Sequence, residues 1–335
     1  MPTLSVILPN FNHGNFLAGA IEALLSQSLP PDELIVVDDG STDDSLSIVQ
    51  ELAQCHPCIR LLVLGKNQGT NEANRRGRME ATGTFIFFAA ADDLVLPGLF
   101  ARSVELLGRH PDAGFCSGLV RRMDIDGNDL GTLDTHPVLT SPDFVSPRRA
   151  LEILRRHDGW FRCNSAVYRR QTINDLGGFI PELGTFGDAF ACAVIALQKG
   201  CCFIPEPLAV RRVSLESSSH RSTEDIQTAL NIFGHAEHLM TTVYRDIFPA
   251  DYVALWDRRW RYAVGSAALK NRQARPSHRY RTPDTRCKCN RPGGVKGNGA
   301  KPNSGAPVGI RLSAFAANPE GRDPGPDAQG RFVGL

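Results

Sequence analysis

Short apolar runs and helix-period stretches take turns along the first hundred residues. "LSVILP" has the pattern of a strand, and Leu17, Ala20, Ile21, Leu24 and Leu25 then recur at helical spacing. "ELIVVDDG" is a second apolar strand. It leads into "STDDSLSIVQELA", where Ser41 and Asp44 resemble a capping box opening a helix. "IRLLVL" predicts a third strand, "NEANRRGRMEA" a third helix and "FIFFAAA" a fourth strand. So apolar a run belongs in a sheet covered on both faces, yet this one ends in two adjacent carboxylates, Asp92 and Asp93. Strand–helix alternation at this pitch predicts an α/β fold with a doubly wound, mostly parallel sheet. In such sheets ligands bind beyond the carboxyl ends of the strands.

After about residue 113 the pattern changes. "GFCSGLVRRMDIDGNDLG" reads as strand, turn (Asp126-Gly127) and strand; "NSAVYR" and "CCFIPEPLAVRRV" are further strands around a helix starting near Asp188. Residues 222–271 read as helical, with Val253, Trp256, Trp260, Val264 and Ala267 on one stripe. Beyond them, residues 272–335 hold 18 Gly plus Pro and only 8 Leu, Ile, Val or Phe, a composition that cannot bury a core and predicts a disordered tail. The break falls inside a helical pattern, as a shifted reading frame or a genuine basic tail would produce.

Charge sharpens that division. The formal net charge is +1, but residues 272–335 carry 12 Lys/Arg against 4 Asp/Glu, and the rest of the chain carries 25 against 32. The body is mildly acidic, which disfavours nucleic acid as a partner. No apolar stretch reaches the roughly 18–20 residues a bilayer span needs, and "MPTLSVILPNFN" has no basic region of a secretory signal. Nine cysteines, an odd number, suit a reducing compartment. A cytoplasmic location follows, with peripheral contact at the cytoplasmic face of the membrane permitted by the basic residues near the tryptophan stripe. "CHPC" (Cys55–Cys58) has CxxC spacing but no second pair nearby, so two partly buried thiols are the better reading than a zinc or redox site.

The strand ends carry the candidate chemistry. Strand one ends in Pro9-Asn10-Phe11-Asn12, strand two in Asp38-Asp39-Gly40-Ser41 and strand four in Asp92-Asp93, all at one edge. No glycine-rich phosphate loop follows strand one. If phosphate binds at this edge, a carboxylate-held cation would serve to neutralise it.

These segments resemble the nucleotide-diphospho-sugar transferases of the GT-A fold, specifically glycosyltransferase family 2. "SVILPNFNHGNFLAGAIEALLSQS" is similar to that family's first strand, loop and helix, and "DELIVVDDGSTDDS" to its second strand and aspartate turn. "NQGTNEANRRGRMEATGTFIFFAAADDLVLPGLF" resembles the segment leading into its metal motif, and "LGGFIPELGTFGDAFACAVIALQKG" the stretch carrying its catalytic base. The likeness covers roughly residues 3–215.

The resemblance implies a role for each position. Asp93 would hold a divalent cation, Mn²⁺ or Mg²⁺, and Asp92 would help orient that metal or hold the ribose. Asp39 would accept a hydrogen bond from the uracil imide, Asp38 would support the turn, and Pro9, Phe11 and Asn12 would line the nucleotide pocket. Asp188 would be the general base for an acceptor hydroxyl. Each has a plainer alternative: helix capping or a solvated loop position for Asp92 and Asp93, helix capping for Asp188, turn chemistry for Asp38 and Asp39, an ordinary loop for the rest. Two departures stand out. Ala73-Asn74-Arg75-Arg76-Gly77 exchanges the family's Arg and Asn, which favours surface charge for Arg75 and Arg76, and Ser214 replaces a histidine.

Four regions follow: a nucleotide-sugar-binding half (1–115), an acceptor-binding and catalytic-base half (116–215), a C-terminal helical extension (216–271) and the tail (272–335). The implied activity is inverting, metal-dependent transfer of a sugar from a nucleotide donor, expected to be UDP-linked, to a hydroxyl of a glycan or lipid-linked acceptor, in cell-surface polysaccharide or glycolipid synthesis. The rivals are a disabled, non-catalytic GT-A binding protein and a sugar-phosphate nucleotidyltransferase, which would want the glycine-rich loop that "PNFNHGNF" lacks.

Overall fold

The computed structural model describes residues 2–132, 138–157, 160, 163–213 and 226–274, with side chains as far as 266. Its first half follows the predicted alternation: β1 (Leu4–Asn10), α1 (Gly14–Leu25), β2 (Glu33–Asp38), α2 (Ser45–Cys55), β3 (Ile59–Val63), α3 (Thr70–Glu80) and β4 (Phe85–Phe88). Then come β5 (Leu94–Val95), α4 (Leu99–Arg109), β6 (Phe115–Met123), β7 (Asp129–Thr132), β8 (Asp143–Val145), α5 (Pro147–Leu154) and β9 (Val167–Arg169). The chain continues through α6 (Arg170–Asp175), α7 (Gly187–Lys199), β10 (Cys201–Arg212), α8 (Ile226–Thr241) and α9 (Ala250–Ala274).

The strands form one mixed sheet in the order β3-β2-β1-β4-β9-β6-β10-β5, with β7 on β6 and β8 on β10. β3, β2, β1 and β4 run parallel; β9 enters antiparallel to both β4 and β6, and β6 and β10 pair parallel. Every residue of β2 is buried, as a strand covered on both faces requires. α3 lies on β1 and β2 at close range, because a Cβ on Gly77 would come within 2.4 Å of the Ile7 side chain.

Two predicted elements are corrected. β4 stops at Phe88 rather than running to Ala91. On its far side β9 offers only Val167–Arg169, paired with Phe85–Phe87, so the chain beyond Phe88 has no ladder there and turns out toward the strand-end edge. The capping box at Ser41 and Asp44 does not form. Asp44 is the N-cap of α2 but makes no side-chain cap bond, and the Ser41 hydroxyl accepts from Asn10 Nδ2 and Asn12 N instead.

One core runs from the sheet (Ile7, Ile35, Ile86, Phe115, Phe203) through α7 (Val194, Ile195) to α9. Val253, Trp256 and Val264 of the predicted stripe are buried, and Trp260 packs against the same core; Ala267 lies outside the described side chains. α9 runs to Ala274, past the expected break at 271, and the rest of the predicted tail lies outside the described residues. No described helix is long and apolar enough to cross a membrane.

Candidate active site

The C-terminal ends of β1 and β2 form one hydrogen-bonded unit. Asn10 Nδ2 donates to Asp38 Oδ2 at 3.0 Å, and Asp38 Oδ1 accepts from the backbone N–H of Gly40 and Ser41. Asn12, the non-glycine residue with positive φ (56°) among those described, turns the chain and accepts from Thr42 N at 2.7 Å. Asp38 therefore supports the turn. Asp39 is buried, and its two oxygens accept from Gln68 N (2.8 Å) and Gly69 N (2.7 Å). It ties the turn to the loop before α3, and only its remaining lone pairs could meet a base. Gly40 is required here: its φ is +82°, and a Cβ would lie 2.7 Å from Lys66 Cα. Phe11 stands 37% exposed at this edge, where a ring can meet a ligand, and Pro9 is half-buried beside it. The Asn10 Oδ1 atom is buried without a protein partner; its amide orientation is fixed because Asp38 can only accept.

The carboxylates after β4 are held differently. Asp93 Oδ1 accepts from Arg212 N at 2.8 Å and Oδ2 from Asn164 Nδ2 at 2.6 Å. The Arg212 guanidinium, itself buried over the Phe16 ring at 4.5 Å, donates to the carbonyls of Asp92, Asp124 and Ile125. That arginine thus fixes the loop while giving its hydrogen bonds to neutral oxygens. Burial, and then the neighbouring Asp92 charge, push the Asp93 carboxyl up to about 7. Helix capping is excluded for the pair, because the N-cap of α4 is Gly98, with no side-chain cap bond. Two adjacent half-buried carboxylates, with Asp93 held by one side-chain amide and one backbone N–H, fit a dication that takes its other ligands from substrate and water. Among the described residues no group of three or more His, Cys, Asp or Glu could hold a metal by itself.

Asp188 lies in the first turn of α7, whose N-cap is Phe186, so it is not the cap. Its Oδ1 accepts from Ala189 N at 2.6 Å. Burial raises its pKa from the ordinary aspartate value, against the Ala189 hydrogen bond and the Arg211 charge, which favour ionisation.

The predicted residues thus gather into two sets, Asn12 with Asp38 and its turn, and Asp93 with Asp92. Among the described residues Asp188 is hydrogen-bonded to neither set, and the Arg211 charge acts on both Asp93 and Asp188. Arg75 pairs with Glu72 on the surface, and Ser214 lies outside the described residues. Cys55 and Cys58 are free thiols; Cys58 is partly buried as expected, but Cys55 is exposed. Sequence reasoning placed Asn10 at the strand-end edge without a role and missed Asn164 and Arg212. For Arg212 a signal existed, a charged residue ending an apolar strand.

Residues 5–175 match the sequence profile described as glycosyl transferase family 2. An uncharacterized glycosyltransferase of Nostoc sp. is 33% identical over 176 residues, 52% of this chain and 52% of that protein. The GalNAc(5)-diNAcBac-PP-undecaprenol beta-1,3-glucosyltransferase of Campylobacter jejuni is 40% identical over 107 residues, 31% of this chain and 34% of that one. The chain therefore spans about half the length, or less, of these curated relatives. Among solved structures, the mannosyltransferase of Pyrobaculum calidifontis in complex with GDP-Man and Mn²⁺ superposes with a TM-score of 0.55 at 22% identity, covering 82% of this chain and 76% of that one. At that identity the likeness establishes the fold.

Proposed function

The chain belongs to glycosyl transferase family 2, and from that membership we propose that it is an inverting, metal-dependent glycosyltransferase acting on a nucleotide-diphospho-sugar. The observation that carries this reading is the Asp92–Asp93 pair: two adjacent carboxylates at a strand end, neither used as a helix cap, beside an arginine whose guanidinium is engaged elsewhere. A half-buried anionic pair of this kind favours a bound cation.

Asp93, with Asp92, would hold Mn²⁺ or Mg²⁺. A divalent cation there supplies neutralisation of the charge that builds on the departing diphosphate. Asp38 and Asn12 keep the nucleotide turn in shape, Asp39 offers its free lone pairs to the base, and Phe11 offers a ring face. The uridine reading rests on Asp39. The mannosyltransferase of Pyrobaculum calidifontis, solved in complex with GDP-Man and Mn²⁺, supports a cation and leaves guanosine in the test. Asp188 would take the proton from the acceptor hydroxyl, and its raised pKa brings a carboxylate nearer the range where it can do so. A glycan or lipid-linked acceptor agrees with the undecaprenol-linked substrate in the Campylobacter relative's name.

The test is a panel of UDP-, GDP- and TDP-sugars screened for thermal stabilisation with and without Mn²⁺, since binding raises apparent stability by mass action. One nucleotide class should stabilise the protein only with the cation, and Asp93→Ala should abolish the effect. No stabilisation by any nucleotide, or undiminished binding to Asp93→Ala, would overturn the proposal.

A further inference from the structure

α3 is seated on the sheet at Gly77, and the residue after it reaches the other way along the chain. Arg78 is half-buried; its Nη1 donates to Asn174 Oδ1 at 2.6 Å and its Nη2 to Gly177 O at 2.9 Å. Gly178 fits against the guanidinium with no room to spare, because a Cβ there would lie 2.8 Å from Arg78 Nε. Residues 177–186 then lead directly into α7 and Asp188. We propose that Arg78 is a positioning residue: it ties the segment 177–186 to α3 and so sets where Asp188 stands. The proposal rests on the reading of Asp188 as the base. Arg75 and Arg76, to which the family likeness drew attention, are exposed, and Arg78 is the arginine that the fold engages.

Ordinary helix capping does not account for these contacts. α6 closes itself: Gly177 N donates to Asn174 O and Gly178 N to Ile173 O, both at 2.9 Å, with Gly177 at φ +83°. Those are the paired bonds of a Schellman ending, so the last α6 carbonyls are served without Arg78. The guanidinium instead binds one side chain and a carbonyl beyond the helix, two oxygens that a planar fork can reach together and an ammonium cannot.

The packing carries the anchor on to the base. Phe179 sets its ring against Phe88 at the end of β4, with centroids 4.6 Å apart. Leu183 is fully buried, and its N–H donates to Ile180 O at 3.1 Å. Gly187 returns to the start of the same segment: a Cβ there would lie 3.2 Å from Ile180 O and 3.6 Å from Phe179 Cβ. Asp188 is the next residue. Asn71, two turns before Arg78 on the same face of α3, brings its Nδ2 to 3.5 Å from both Pro181 O and Gly184 O, a second and looser approach to the segment. Arg78 thus acts on Asp188 through a closed, packed loop and not on substrate.

Two readouts on the full chain test the anchor, and neither needs a donor sugar or an acceptor. The first is amide hydrogen exchange by mass spectrometry across residues 179–187, which include the hydrogen-bonded amides of Leu183 and Gly187. The second is the ¹³C-NMR signal of the Asp188 carboxyl, assigned with Asp188→Asn. In Arg78→Met the loss of two charge-assisted hydrogen bonds should speed exchange across this segment by about tenfold or more, and the Asp188 signal should shift or broaden. Should Arg78→Met fail to fold, Arg78→Lys, which keeps the charge and one donor group, carries the same test with changes in the same direction. An Asp188 signal that stays where it is in the parent overturns the proposal, and so does unchanged exchange across 179–187; faster exchange confined to α6 would mark Arg78 as a local prop. Turnover surviving in Asp188→Asn would instead sink the base reading, whatever the Arg78 variants show.

Discussion

Consider Asp93→Asn followed by thermal unfolding from pH 4 to pH 8 in the presence of chelator. In the folded protein the Asp93 carboxyl titrates at about 7, against about 3.9 in an unfolded chain. Between those values the folded state holds a proton that the unfolded state has released. Stability contributed by this residue is therefore fully present below about pH 4, declines as pH rises, and is lost above about pH 7. A displacement of roughly three units corresponds to at most about 4 kcal/mol, and a few kcal/mol is the expected order because part of the site reaches solvent. Asparagine mimics the neutral acid, and Asn164 can turn its amide to accept from it. The variant should thus match the parent near pH 4 and exceed it by several degrees at pH 8, at roughly 2–4 °C per kcal/mol for a domain of this size. With Mn²⁺ and the stabilising nucleotide sugar the order should reverse above pH 7, because the charged carboxylate then has a cation. Below pH 7 that ligand affinity should fall about tenfold per unit in the parent. Equal melting-temperature differences between variant and parent at pH 4.5 and pH 8 would refute the buried-pair reasoning.

Other outcomes follow from the same geometry. Asp188→Asn should lower transfer roughly 10²–10⁴-fold while leaving donor affinity and α7 intact, since Phe186 and not Asp188 is the N-cap; turnover near the parent's would remove Asp188 as the base. Gly40→Ala forces a side chain into a left-handed conformation and against the Lys66 backbone, and should cost about 1–3 kcal/mol in denaturant unfolding together with weaker nucleotide binding. Arg212→Met leaves the carbonyls of Asp92, Asp124 and Ile125 without their donor, so a loss of about 2–5 kcal/mol is expected. Arg212→Lys should not rescue it, because an ammonium lacks the planar fork that reaches all three. A melting temperature unchanged in Arg212→Met would show that water replaces the guanidinium at no cost.

Periodicity was enough for the parallel half of the fold. Apolar runs such as Glu33–Asp38 and helical stripes such as Leu17–Leu25 are local patterns with a local cause: strand and helix each repeat on a fixed period. The strand-end aspartates were legible too, because strand–helix alternation alone places them at one edge, and family likeness then gave them roles. What could not be read locally was which partner each polar group would meet. Ser41 has the spacing of a cap, but two asparagines from β1 and its loop claim its hydroxyl. "NSAVYR" has a strand's composition, yet the register of β9 against β4 and β6 leaves only Val167–Arg169 in the sheet and releases Cys163, Asn164 and Ser165 as a turn. Asn164 meets Asp93 across 71 positions and Arg212 meets it across 119. Nothing in a short window distinguishes such residues from surface amides and arginines. Their roles exist only once the sheet brings β4, β9 and β10 together and burial removes water as the competing partner.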